Sequence, residues 1–205
     1  GVTVKGVRCA PIEQLEVFMR RTTFWLAPAL LFLAAVVMAQ AQYNYTTNSD
    51  NTICITNYTG SGGQVTIPNT IDGKPVTRIY SAFANSMSLT EVTIPNSVTN
   101  IGDWSFAYCA NLTNAVIGTG VTCISDYTFV DCYGLTGLTI PDGVTVIGNH
   151  AFNSCTNLSN IAIPGSAITI GIKAFYGCPI TNVTIPGGVT NIGDGAFYHC
   201  GSLTN

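Results

Sequence analysis

Apolar positions along this chain of 205 residues return on a fixed beat from Val65 onward. Phe83, Phe106, Phe129, Phe152 and Phe175 succeed one another at intervals of 23 residues, and Phe197 comes 22 later. Ile94-Pro95, Ile140-Pro141, Ile163-Pro164 and Ile185-Pro186 keep the same time, with Ile117-Gly118 where one Pro is missing, and Ile67-Pro68 opens the series across a longer first coil. A period of this length marks a solenoid, because each repeat is a unit too small to bury its apolar face without a neighbour.

Within one repeat, Ile94 to Val116, the apolar residues alternate twice, and each alternation predicts a short strand. The first comprises Leu89, Val92 and Ile94, repeated as Leu112, Ala115 and Ile117, then Leu135, Leu138 and Ile140, then Leu158, Ile161 and Ile163, then Ile180, Val183 and Ile185. This is the L-x-x-L-x-L skeleton of a leucine-rich repeat, with the last two apolar residues pointing inward. The second runs through Val98 and Ile101, Val121 and Ile124, Val144 and Ile147, and Val189 and Ile192, and gives each coil a second wall. Pro cannot donate to a ladder and so stands where the first strand ends. Gly102, Gly148, Gly171 and Gly193, with Ser125 in the same register, supply a corner. Asp103, Asp126 and Asp194 come next and read as caps of a short helical turn that carries the Phe. The expected fold is a mainly β, right-handed leucine-rich repeat solenoid of short strands, turns and short helical turns.

The pattern I-P-x-S-V-T-x-I-G-x-x-x-F-x-x-C-x-x-L-T-x-V resembles the BspA-like leucine-rich repeat family over about Val65 to Asn205. Departures are local: Ser86 for the first Cys, Gly118 for Pro, Ala167 for Val, and one residue lost at Cys178-Pro179-Ile180. The resemblance implies a secreted or surface-displayed bacterial protein, several members of the family looking like adhesins.

The remaining segments lack the repeat. Residues 1–18 share no pattern with the rest of the chain and read as an upstream, non-native extension, so Met19 is the expected start. Arg20-Arg21, the apolar run from Phe24 to Met38 and the small-x-small triplet Ala39-Gln40-Ala41 make residues 19–41 a secretory signal peptide. A membrane span, which needs about 20 apolar residues, is the competing reading of a run that is shorter and broken by Pro28. Residues 42–64 alternate at Tyr43 and Tyr45 and again at Ile53 and Ile55 around Asn48-Ser49-Asp50-Asn51, which predicts a β-hairpin cap on the first coil. Residues 65–205 form about six coils, and the chain is expected to be truncated at its C-terminal end, since Leu203-Thr204-Asn205 stops partway into a strand.

Charge narrows the partners. From Gln42 onward only Lys74, Arg78 and Lys173 are basic against eight acidic side chains, which excludes the clustered cations that nucleic-acid binding requires. Chemistry narrows them further. Cys109, Cys132, Cys155, Cys178 and Cys200 each lie three residues beyond a repeat Phe, one thiol per coil, which reads as buried packing rather than a zinc or disulfide framework. His199-Cys200 lacks an orienting third group. The Asp103, Asp126 and Asp194 register is interrupted by Asn149 and Ile172 and reads as turn chemistry, not calcium ligation. No catalytic residue, cofactor or metal site is expected.

What remains is the outward side of the first strand array: Glu91, Thr93, Asn114, Thr139, Asn160, Asn182 and Thr184. These residues form a neutral surface, rich in Thr and Asn, that suits hydrogen bonding to a protein or a glycan. The function expected is a non-enzymatic secreted or surface-displayed binding or adhesion module. The alternatives are an accessory region of a larger exported protein, which could be an enzyme, and a structural surface-layer component.

Overall fold

The computed structural model describes residues 42–204. The expectations for residues 1–41, including the signal peptide and Cys9, lie outside the described residues. The thirteen strands of the described chain are short, and they make two walls of a coil-by-coil solenoid.

The cap is a hairpin, as its two alternations predict. Strand β1 (Tyr43–Thr47) pairs antiparallel with β2 (Ile53–Tyr58) around a turn in which the Asn48 N–H donates to Thr52 O and Asn51 takes φ 62°. β2 then pairs in parallel with β5 (Lys74–Ile79), so the hairpin is also the first rung of the solenoid. Strand β4 (Thr70–Ile71) turns back onto β5 through Asp72-Gly73, both with positive φ (51° and 72°), which is the two-residue primed turn that Asp-Gly favours.

The second wall continues from β5 through β7 (Asn100–Ile101), β9 (Cys123–Ile124), β11 (Val146–Ile147), β12 (Thr169–Ile170) and β13 (Asn191–Ile192), all parallel. The first wall has four strands, β3 (Gly63–Thr66), β6 (Leu89–Thr93), β8 (Asn114–Val116) and β10 (Gly137–Thr139). The ladder expected through all coils of the first wall therefore stops at β10, and the continuous one is the second wall. Gly137 brings no side chain to pack within its strand, and the residue lost at Cys178-Pro179-Ile180 shortens the coil beyond. Leu138 is only half-buried, whereas Val92 and Ala115 at its register are buried.

Between the walls lies one core. Phe83, Phe106, Phe129, Phe152 and Phe175 are fully buried, and successive rings stack at 4.9–5.3 Å with interplanar angles of 4–18°. Tyr58 closes the N-terminal end of this stack at 4.8 Å from Phe83, and Phe197 continues it at 5.3 Å from Phe175. The cysteine ladder runs beside it. Each thiol donates to the carbonyl of the preceding coil's Phe: Cys109 to Phe83, Cys132 to Phe106, Cys155 to Phe129, Cys178 to Phe152 and Cys200 to Phe175, at 3.0–3.2 Å. All seven described cysteines are unpaired.

The Phe segment is not a helical turn, contrary to what its Asp and aromatic residues predict. The residues two before and two after each Phe are left-handed: Trp104 and Tyr108 (φ 59° and 61°), Tyr127 and Asp131 (57° and 55°), His150 and Ser154 (54° and 60°). With these positions left-handed, N–H groups alternate between a local bond and the next coil. Thus Trp104, Phe106 and Tyr108 donate to Asp126, Thr128 and Val130, while Ala107 donates back to Trp104. The corner becomes a third lateral ladder, which a right-handed helical turn could not make because it spends its donors internally. The Asp register does not cap a helix either. Asp103 Oδ1 accepts the Asp126 N–H (3.2 Å), Asp126 Oδ1 the Asn149 N–H (2.7 Å) and Asn149 Oδ1 the Ile172 N–H (2.8 Å), so Asn serves as well as Asp.

Backbone proximity explains two glycines. A Cβ on Gly171 would lie 2.5 Å from the main chain at Gly148 and Asn149, and one on Gly118 would lie 2.5 Å from the Pro95 carbonyl group. Gly118 replaces the repeat Pro because the chain there has no room for any side chain.

Candidate functional site

Strand pairing places the expected face residue by residue. Glu91 pairs laterally with Asn114 and Asn114 with Gly137, while Thr93, Val116 and Thr139 form the next row. Both rows extend one strand further than the periodicity alone indicates, to Gln64 and Thr66 of β3. The signal was present in Val65-Thr66-Ile67-Pro68, which matches the end of the repeat strand, but the long first coil sets it 27 residues before Ile94-Pro95 and hid its alignment. Asn160, Asn182 and Thr184 lie in later coils that carry no ladder strand at this wall, so the face is one sheet for Glu91, Thr93, Asn114 and Thr139 and a looser surface for the other three.

Two classes of Thr occur on this wall, and their hydrogen bonds separate them. Thr113 and Thr136 donate their hydroxyls to the carbonyls of Thr90 and Thr113, at 3.0 and 3.2 Å, one coil back. Those hydroxyls are consumed by the stacking of coils. Among the described residues, Thr93, Thr139 and Thr184 make no side-chain hydrogen bond, and neither does the Glu91 carboxylate. Asn160 and Asn182 donate only to their own neighbours, Ser159 and Thr181, at 3.3 and 3.4 Å. The face thus offers donors and acceptors that the fold does not use. Val116, half exposed, adds an apolar spot between Thr93 and Thr139.

Shallow depressions gather some of these residues and not others. One of about 380 Å³ is lined by Asn114 to Ile117, Thr119, Gly137 to Thr139 and Pro141; another of about 240 Å³ lies over Ile161 to Ile163, Asn182 to Thr184 and Pro186. Asn114 and Thr139 meet in the first, and Asn182 and Thr184 in the second. Glu91, Thr93 and Asn160 line neither.

The side chains with reactive potential are engaged in packing. The Cys200 thiol is buried and turned to Phe175 O, so His199, exposed and edge-on to Tyr198 at 4.2 Å, does not form a nucleophile pair with it. His150 is not a freely solvated side chain: its ring stacks on Tyr127 (4.8 Å, 6°), which stacks on Trp104 (4.2 Å, 4°), and its Nδ1 meets Asn153 Nδ2 at 2.8 Å. Burial and the nearby Lys173 charge lower its pKa. Sequence reasoning misses this half-buried row because Trp, Tyr and His at one register look like the variability of a solvated position. No cluster of three or more His, Cys, Asp or Glu able to hold a metal occurs among the described residues.

Comparison with known proteins agrees with this geometry. A model of the BspA-type leucine-rich repeat region matches residues 77–204 in six copies. The crystal structure of the Treponema pallidum leucine-rich repeat protein is 35% identical, with a TM-score of 0.78, covering 80% of this chain and 78% of that one. A leucine-rich cell surface protein from Faecalibacterium prausnitzii is 32% identical, with a TM-score of 0.62 and coverage of 80% and 52%. A leucine-rich repeat protein from Bacteroides ovatus is 30% identical, with a TM-score of 0.57 and coverage of 79% and 38%. The chain thus spans about half the length of the second of these and less of the third. Among curated protein sequences none matches. With six registered copies of the repeat across most of its length, the chain belongs to the BspA-type leucine-rich repeat family.

Proposed function

We propose that the chain is a non-enzymatic binding module displayed at a bacterial cell surface, engaging a protein or glycan partner through the outward face of the first wall. The observation that carries this reading is the division of labour among its threonines and acids. The Thr113 and Thr136 hydroxyls are spent between coils, whereas those of Thr93, Thr139 and Thr184, with the Glu91 carboxylate, are left for a partner. The surface location is supported by the relative from Faecalibacterium prausnitzii, which is described as a cell surface protein.

The test uses a glycan array and immobilised cell-surface protein extracts. Thr139→Arg with Asn160→Arg sets two charges into a neutral patch; if that patch is desolvated on binding, affinity falls by several kcal/mol. Thr169→Arg with Asn191→Arg, on the outward row of the second wall, is the control. Loss of binding in the control alone would move the functional face to the other wall. A second reading, in which these coils are an accessory region of a larger surface protein, is supported by the additional sequence of the relatives from Faecalibacterium prausnitzii and Bacteroides ovatus.

A further inference from the structure

The outward row of the second wall is uncharged except at one place. Cys54, Arg78, Asn100, Cys123, Val146, Thr169 and Asn191 succeed one another across paired strands, and Arg78 is the only ion among them. Its guanidinium has no hydrogen bond or ion pair among the described residues. The other two Lys and Arg side chains among the described residues are engaged: Lys74 Nζ lies 3.5 Å from Thr47 Oγ1, and Lys173 Nζ lies 5.6 Å from the Tyr176 ring centre. Asp50, whose carboxyl feels the Arg78 charge, spends its Oδ1 on the N–H and hydroxyl of Thr52.

Beside Arg78 stands an aromatic side chain that the repeat does not call for. Tyr80 comes after Ile79 as Gly102 comes after Ile101, at the corner where later coils carry Gly or Ser. Its ring lies on Gly102, whose Cβ would come within 2.8 Å of Tyr80 Cδ2, and the residue is 52% exposed. Arg78 and Tyr80 line an open pocket of about 400 Å³ with Thr46, Asn48 and Asn100. The Thr46 hydroxyl and the Asn100 amide are unused by the fold among the described residues.

We propose that this pocket is a binding site for a carboxylated sugar. An unpaired guanidinium presents parallel donors to a carboxylate. An exposed ring beside it covers the C–H face of a pyranose, and the free amide and hydroxyl take its ring hydroxyls. A simple anion would need only Arg78 and would leave Tyr80 unused. The site lies on the second wall, opposite the Thr- and Asn-rich face, and does not rest on the reading of that face.

The experiment is an NMR titration of the full chain with methyl glucuronide, methyl glucoside and acetate as separate probes. Methyl glucuronide shifts Arg78, Tyr80 and Asn100 and saturates in the millimolar range, at least about tenfold more tightly than the other two probes. Arg78→Gln removes the response, Tyr80→Ala weakens it about tenfold, and Thr169→Val, further along the same row, leaves it intact. Equal binding of the glucoside, undiminished binding of acetate, survival of binding in Arg78→Gln, or no response to the glucuronide would each overturn the proposal.

Discussion

Residues whose neighbours spend energy to hold them reveal most about this molecule. Among the described residues twelve non-glycine positions have positive φ, and for bulky ones such as Trp104, Tyr108 and Tyr127 that region is unusual. A left-handed L-residue costs about 1–2 kcal/mol, and at the Phe corners from Ser81 to Lys173 the return is a lateral backbone hydrogen bond, plus ring stacking at Trp104, Tyr127 and His150. Ser154 gains no such stacking, and the same register in the next coil is Gly177 (φ 70°). Ser154→Gly relieves more strain than Gly adds in unfolded-chain entropy, about 0.5–1 kcal/mol, so the denaturation midpoint rises. Gly177→Ala lowers stability by about 1 kcal/mol, and the effect is conformational, because the new Cβ would meet only Ser154 Cα at 3.9 Å. Equilibrium denaturation of the two variants checks this; a lowered midpoint for Ser154→Gly would show that the corner is unstrained.

Elements are legible in the stacks that link coils. The cysteine ladder is an element of this kind, since its thiols are buried and donate in register to Phe carbonyls. Burial pushes the Cys109 thiol up from its ordinary 9.0 to about 12 and Cys200 up to about 11. Well below pH 9 these thiols are neutral in folded and unfolded chains alike, and their contribution is complete. Above it the unfolded chain releases thiol protons that the folded chain retains, so stability falls as pH rises toward the folded values. Denaturation midpoints are therefore flat near neutrality and decline above pH 9, and Cys109→Ala makes the decline shallower. Midpoints unaffected by alkali would mean that the thiols are open to solvent. With a thiol reagent, half-buried Cys54 and Cys123 label before the five ladder cysteines, which wait for unfolding.

For the whole molecule, stability is carried from coil to neighbouring coil, because 23-residue units touch little else. Phe152 lies in the middle of the ring stack, 5.3 and 5.2 Å from the rings on either side, and is fully buried. Phe152→Ala costs about 3–5 kcal/mol by emptying a site that both neighbours pack against. Phe197, only half-buried here, costs less when changed in the same way. Chemical denaturation of both variants measures the difference, and equal losses would mean that the coils do not rely on a shared stack.

Period and side-chain type together determined the solenoid, because a buried stack of Phe, Ile and Leu at 23-residue intervals has one way to exclude water. They also determined the hairpin cap, with its turn at Asn48 to Asn51, and the fate of the ladder thiols. The conformation of the Phe corner was beyond them. Asp with an aromatic residue after it suits a helical cap locally, and only the competition with lateral hydrogen bonds to Asp126, Thr128 and Val130 favours the left-handed form. Nor could periodicity show where the first wall stops, since Gly137 fits the repeat by position and fails it by packing. The Arg78 and Tyr80 pocket was likewise invisible to the repeat: both residues belong to the irregular first coil, and pairing between β5 and its neighbours is what brings them together with Asn100. The sequence decides what must be buried and how often, whereas the free polar groups depend on which hydrogen bonds the assembled coils leave unmade, and that is a tertiary property.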